Sequence, residues 1–307
     1  MDERSSEIAL IHKAQAQNLK KEQREQSFWF ALMWLFGLIT VSILILVVGY
    51  VLLEGGTAIN WEFLTTPPKG GLSGEGGIST TIGTTFYLVG LTLLIATPLG
   101  VGAAIFLIEY AGEQSLGSKI LQAMVSVANF AVETLAGIPS IIFGLFGYAL
   151  FVSTLKFGFS LLSAALAGAC LVLPTIIRTT EEALLAVPDD YRRGSLALGA
   201  TKWQTLYRVV LPASTPGIIT GIILSVGRVI SETAIFYVTL GGSYRMPTSI
   251  MDSGRTLALH LYYLAMDTRA FDKAMGTGAV LVVMIILINL LIDFVSRKLT
   301  AGVRKVR

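Results

Sequence analysis

The segment Arg178–Pro212, RTTEEALLAVPDDYRRGSLALGATKWQTLYRVVLP, decides how the rest of the chain is read. It is polar and helix-prone, and it lies between two apolar stretches, Leu161–Ile177 and Gly217–Val238, each long enough to enter a bilayer. Arg178, Arg192, Arg193, Lys202 and Arg208 cluster within it, and basic residues gathered between hydrophobic spans mark a cytoplasmic segment. Leu198-Gly199-Ala200-Thr201 interrupts two helical runs, and Leu211-Pro212 closes the second. A Gly at such a point permits a bend that other residues resist. The pattern predicts a helix-turn-helix on the inner face of a membrane, presented to a soluble partner.

Composition agrees. Of 307 residues 53% are hydrophobic and 14% charged, and the mean hydropathy is +0.71. A soluble domain of this length needs more charge on its surface, so the class is an all-α polytopic membrane protein. The net charge of +3 is too small to argue for nucleic acid. Cys170 is the single cysteine, which excludes an intramolecular disulfide, and its apolar surroundings make it a packing residue. His12 and His260 are too far apart in sequence for metal-ligand spacing.

Taken in order, 1–27 is a polar tail. Residues 28–53 carry no charge until Glu54 and form the first span. Glu54–Gly77, rich in Gly and Pro, is an external loop. The remaining membrane domain, 81–296, holds five further spans. Thr81–Ile108 is the second, kinked near Pro98. Gly137-Ile138-Pro139 divides an interfacial helix, Ile120–Ala136, from the third span, Ser140–Leu155, because the residue before Pro is pushed out of helical geometry. Lys156–Ser160 turns into the fourth span, Leu161–Ile177. The loop 178–212 follows, then the fifth span from Gly217 to Leu240. Gly241–Lys273 is an outer loop with a short helix near Leu257–Met266. The sixth span is Gly276–Phe294, and 297–307 is a basic tail. This topology places sixteen Lys and Arg inside and six outside, which predicts that both termini are cytoplasmic.

The remaining basic residue, Arg228, lies inside the fifth span. Arg at mid-membrane costs about 2.5–3.5 kcal/mol on insertion scales, so it faces a bundle interior or a watery path. Glu232, four residues on, would share its helical face. A self-neutralising structural pair and a cationic station on the route of an anion explain this spacing equally well. Arg178, at the inner border, either snorkels to lipid phosphates or forms a second station. Tyr191, Arg192, Arg193, Leu198, Gly199, Ala200, Thr201, Lys202 and Trp203 make up the expected docking surface of the loop. No G-x-x-x-x-G-K-[ST] phosphate cradle is present, and GGLSGEGG (70–77) lacks its Lys.

The spacing from Gly199 through nine residues to Val209-Val210-Leu211-Pro212 resembles the second half of the cytoplasmic signature of ABC importer permeases. The first half departs, with Arg193-Gly194-Ser195 at the E-A-A positions. The longer match is to the phosphate ABC importer permeases, nearest their A subunit: LAGIPSIIFGLFGYALF (135–151), LPTIIRTTEEALLAVP (173–188) and GRVISET (227–233). Ser231 stands where that family usually has Gly. The resemblance implies the six-helix type I importer fold in a bacterial inner membrane. It also implies a sister permease, two cytoplasmic ATPase subunits that carry ATP and Mg, and an external phosphate-binding protein. No cofactor is expected on this chain, and no catalysis. Arg228, Glu232 and Arg178 become the implied path of phosphate. The alternatives are an ABC permease for another substrate, or a stand-alone secondary anion transporter using Arg228–Glu232.

Overall fold

The computed structural model describes residues 2–69, 74–110, 119–268 and 270–304. Among these, the regular elements are all helices, joined by two isolated β-bridges, Pro68 with Gly76 and Gly241 with Gly254. Residues 1–53 form one compact unit and Glu54–Arg307 a second.

The first unit belongs to α1 (Asp2–Ala58). The tail expected over 1–27 is helical from Asp2. Residues 2–27 contain no Gly or Pro and are rich in Ala, Glu, Gln and Lys, which favour helix intrinsically. From Phe28 to Leu46 the large apolar side chains other than Leu32 are exposed, as lipid-facing residues are in an isolated chain.

The second unit contains α2 (Trp61–Thr65), α3 (Ser79–Ile105), α4 (Lys119–Ala136), α5 (Ser140–Gly147), α6 (Leu161–Leu185), α7 (Asp189–Ala197), α8 (Lys202–Thr205), α9 (Leu211–Ser231), α10 (Ala234–Thr239), α11 (Leu257–Tyr263) and α12 (Phe271–Arg304). Wide π-helical turns follow α3, α5, α8 and α11. Five helices are long and apolar enough to cross a membrane: Glu25–Ala58, Ser79–Tyr110, Leu161–Leu185, Lys202–Ser231 and Phe271–Phe294. Val125–Ala136 and Ser140–Thr154 make a sixth if the pair is one span. They are bent by 110° at the predicted Gly137–Pro139 break, and Pro139 caps α5 with extended backbone.

The core is organised on α6. Two thirds of its apolar window (67%) is buried, against 22–28% for the windows on α3, α9 and α12. Ala164, Ala165, Ala167, Val172 and Ile176 of α6 meet Leu88 and Ala96 of α3, Val226, Val229 and Ile230 of α9, and Ile235 and Phe236 of α10 in one cluster. Helices approach this closely in a membrane through small residues. A Cβ on Gly221 would run into the Thr179 hydroxyl, and one on Gly217 into Ala183. These two contacts show that α6 and α9 run antiparallel.

The fourth span does not stop at Arg178. The helix α6 continues to Leu185, because Thr179-Thr180-Glu181-Glu182-Ala183 contains no breaker before Pro188. The two ends of α6 are thereby committed to different structures. At its start, Leu161 N–H bonds Asp252 C=O at 2.9 Å and Leu162 N–H bonds Ile250 C=O at 2.8 Å. At its far end it feeds the helix-turn-helix. A helix of 25 residues separates the two structures by about 37 Å.

Candidate functional site

Arg228 sits on α9 seven residues beyond Gly221. Since Gly221 lies against Thr179, the antiparallel register sets Arg228 about 10 Å deeper, level with the middle of α6. Its side chain is exposed. No carboxylate among the described residues lies within 4 Å of it.

The expected one-turn pairing with Glu232 does not form. The helix α9 ends at Ser231, and Glu232 adopts extended backbone (φ −75°, ψ 130°). The triplet Ser231-Glu232-Thr233 supplies the reason. The Ser231 hydroxyl donates to the carbonyls of Gly227 (2.9 Å) and Arg228 (3.2 Å). The Glu232 carboxylate accepts from the Ile235 N–H at 3.3 Å, in the first turn of the restarted helix α10, whose N-cap position is Thr233. Short polar side chains that bond nearby backbone compete with helix in this way. Glu232 is therefore engaged by the first turn of α10, and Arg228 is left without a carboxylate partner among the described residues, beside a break in the helix. Non-helical backbone at membrane depth is tolerated where it is buried in protein or lines a watery cavity.

Arg178 is paired. Its Nη1 lies 3.0 Å from Glu181 Oε2, with the Arg side chain 41% exposed and the Glu 8%. Sequence reasoning had overlooked Glu181, though its i,i+3 spacing from Arg178 was visible. Arg178 lies next to Thr179, so it is separated from Arg228 by the same two turns of helix.

The elbow forms as predicted. Asp189 and Asp190 occupy the first turn of α7, where carboxylates complement the helix dipole. Gly199, at φ +86°, follows the last helical turn, and its N–H bonds the Leu196 carbonyl at 3.0 Å, a left-handed helix stop. Thr201 then caps α8 in a reciprocal box with Gln204. The Ser195 and Thr205 hydroxyls join the two helices at 2.9 Å. Leu184, Val187, Leu206 and Val210 pack the elbow onto Ile105 and Ile108 at the end of α3. Its tip is apolar and uncovered: Leu198 is 90% exposed, and Trp203 stacks on Tyr207 with ring centroids 6.4 Å apart. Tyr191, Arg193 and Lys202 are also exposed, and Ala200 is partly so.

Arg192 does not belong to that surface. Its Nε and Nη2 donate to Glu109 Oε1 at 3.2 and 2.9 Å. Nη2 also reaches the Leu184 carbonyl, and Nη1 the Val187 carbonyl, both at 2.8 Å. Nη1 lies 3.4 Å from Asp189 Oδ1. Arg192 thus ties α7 to the turn after α3 and to the closing carbonyls of α6. Glu109 lies just past the expected end of the second span, and a partner 83 residues away leaves no local signal.

Residues 126–305, more than half of the chain, match the family described as "Binding-protein-dependent transport system inner membrane component". The chain belongs to that family. Similar proteins include the "Probable ABC transporter permease protein YqgI" of Bacillus subtilis (strain 168), 34% identical over 87% of this chain and 96% of that protein. Another is the "Phosphate transport system permease protein PstA 1" of Mycobacterium tuberculosis (strain CDC 1551 / Oshkosh), 34% identical over 73% of this chain and 72% of the relative. The fold resembles a chain of a bacterial alginate ABC transporter solved with its pentasaccharide-bound periplasmic protein, at TM-score 0.62 and 16% identity, covering 86% of this chain and 93% of that one. It also resembles a chain of an inward-facing MetNI methionine ABC transporter, at TM-score 0.53 and 21% identity, covering 74% and 94%. This permease is therefore a multi-pass membrane subunit of an ABC importer with the type I fold. Membership sets aside the stand-alone secondary transporter.

Proposed function

We propose that this permease carries inorganic phosphate inward and forms half of the pathway, with a related permease supplying the other half. The observation that carries the reading is Arg228: an exposed guanidinium, unpaired among the described residues, beside the α9–α10 break at mid-span depth. Such a charge is costly in hydrocarbon, so the face of α9 that bears it lines the path. A planar guanidinium matches tetrahedral oxygens with several donors. Arg178 provides the next cation toward the elbow, held in place by Glu181. The phosphate permeases among the relatives favour the same substrate. Two cytoplasmic ATPase subunits, holding ATP and Mg, grip the tip at Leu198 and Trp203. A phosphate-binding protein docks at the opposite end, and both termini lie in the cytoplasm. The test is labelled-phosphate uptake by the assembled complex carrying Arg228→Gln, with sulfate and molybdate as competitors. Uptake at least tenfold below wild type is expected; unchanged uptake in a complex that assembles normally refutes the role.

A further inference from the structure

At the end of α6 remote from the elbow, a second cation is buried that the pathway above does not use. Arg255 is 7% exposed. Its guanidinium is held between two rings, 4.2 Å from the centroid of Tyr244 and 4.1 Å from that of Tyr263. Nε donates to the Gly242 carbonyl at 3.1 Å, and Nη1 lies 3.4 Å from His260 Nδ1. Burial, then the charges of Arg255 and Lys273, hold the His260 imidazole down at a pKa of about 3. It is therefore neutral and able to accept from Arg255. Nη2 has no acceptor among the described residues, and no carboxylate among them lies within 4 Å of the guanidinium.

The two aromatic faces offset part of the cost of burial, but a buried charge without a contacting counter-ion costs more than they return. The guanidinium therefore lacks a contacting anion among the described residues. Beside Arg255 is a cavity of about 270 Å³ whose wall also carries Lys69, Glu75 and Asp267. That volume admits a tetrahedral anion together with waters of about 30 Å³ each. A wall with both cations and carboxylates suits an occupant that offers acceptor oxygens to Arg255 and Lys69 and an O–H to a carboxylate. Phosphate near neutral pH carries both; sulfate carries only acceptors.

We infer that this cavity is a further oxyanion station, selective for a protonated tetrahedral anion, where phosphate is held before it enters the path past Arg228. The assignment of the anion rests on the phosphate reading above. The test is equilibrium dialysis of radiolabelled inorganic phosphate against the full complex in nanodiscs, without binding protein and with the ATPase sites filled by a non-hydrolysable ATP analogue. Arg255→Gln should weaken one saturable component at least tenfold and Arg255→Lys by less. Arg228→Gln should leave that component in place, and sulfate should compete at least tenfold less well than phosphate. An Arg255→Gln complex that assembles and melts like wild type yet binds phosphate as before overturns the proposal. So does sulfate competing equally. If Arg255→Gln does not assemble, the exposed Lys69→Gln decides: threefold or greater weakening supports the site and no change overturns it. Failure of this site alone leaves wild-type phosphate uptake intact, whereas failure of the phosphate reading abolishes uptake itself.

Discussion

Arg192→Ala tests whether the elbow transmits motion through a single fixture. The side chains of Arg192 and Glu109 are 18% and 20% exposed. Removing the guanidinium strands a mostly buried carboxylate, takes the side-chain donor from the Val187 carbonyl, and leaves the Leu184 carbonyl with backbone N–H bonds alone. Losing one partner of a buried pair costs about 3–5 kcal/mol; with a fifth of each side chain wet, about 3 kcal/mol is expected. At about 1.4 kcal/mol per decade, that shifts the docked-to-undocked ratio of α7 roughly hundredfold. Arg192→Lys should recover little, because one ammonium cannot span the acceptors that the planar fork reaches. Glu109→Gln keeps an acceptor and should cost roughly 1–2 kcal/mol. The assay is phosphate taken up per ATP hydrolysed in proteoliposomes, alongside limited proteolysis of the elbow. Uptake per ATP should fall at least tenfold in Arg192→Ala while hydrolysis continues, and the elbow should be cut faster. A wild-type ratio with a protected elbow would refute the fixture. Hydrolysis and uptake lost in proportion would return Arg192 to the docking surface where its position in sequence first placed it.

Two further outcomes follow from the same geometry. Between pH 6.5 and 3 the unfolded chain protonates His260 and the folded chain does not, so stability present above pH 6.5 falls by about 1.4 kcal/mol per pH unit on acidification. At pH 5 the loss is roughly 2 kcal/mol, and His260→Gln should remove that part of the pH dependence of the melting temperature. Equal losses in both proteins between pH 7.5 and 5 would contradict the buried neutral imidazole. Leu198→Cys, in a Cys170→Ala background, should crosslink to the nucleotide-hydrolysing subunit, and Leu198→Asp should weaken assembly by about 1–3 kcal/mol, the range for an exposed apolar anchor. Crosslinks confined to lipid would remove the elbow from the interface.

The features legible in the sequence are those whose cause lies within one turn. Gly199 needs left-handed backbone, and Pro139 forces its neighbour out of helix, so both bends appear where expected. The first, second and sixth spans follow from uninterrupted apolar runs. The features that were missed depend on partners far along the chain. Arg192 finds Glu109 across 83 residues, and nothing local distinguishes it from Arg193. Arg255 lies in a stretch polar enough to be read as an outer loop, yet Tyr244 and Tyr263 enclose it.

At Glu232 two local rules compete, the one-turn spacing from Arg228 and the helix stop at Ser231. Spacing four from Arg228 predicts a pair if the helix continues. The helix stops at Ser231 first, where the Ser231 hydroxyl and the Glu232 carboxylate bond backbone that a continuing helix would use. That order of events bears on mechanism. A carboxylate engaged by the first turn of α10 does not neutralise Arg228, so under the proposed function an incoming anion would meet a whole positive charge. Glu232→Gln keeps an acceptor for the Ile235 N–H and should leave uptake within about threefold of wild type, whereas a true ion pair would release Arg228 and change anion affinity tenfold or more. Uptake titrated against phosphate concentration separates the two, and a tenfold shift in half-saturation would restore the pair that the helix break excludes.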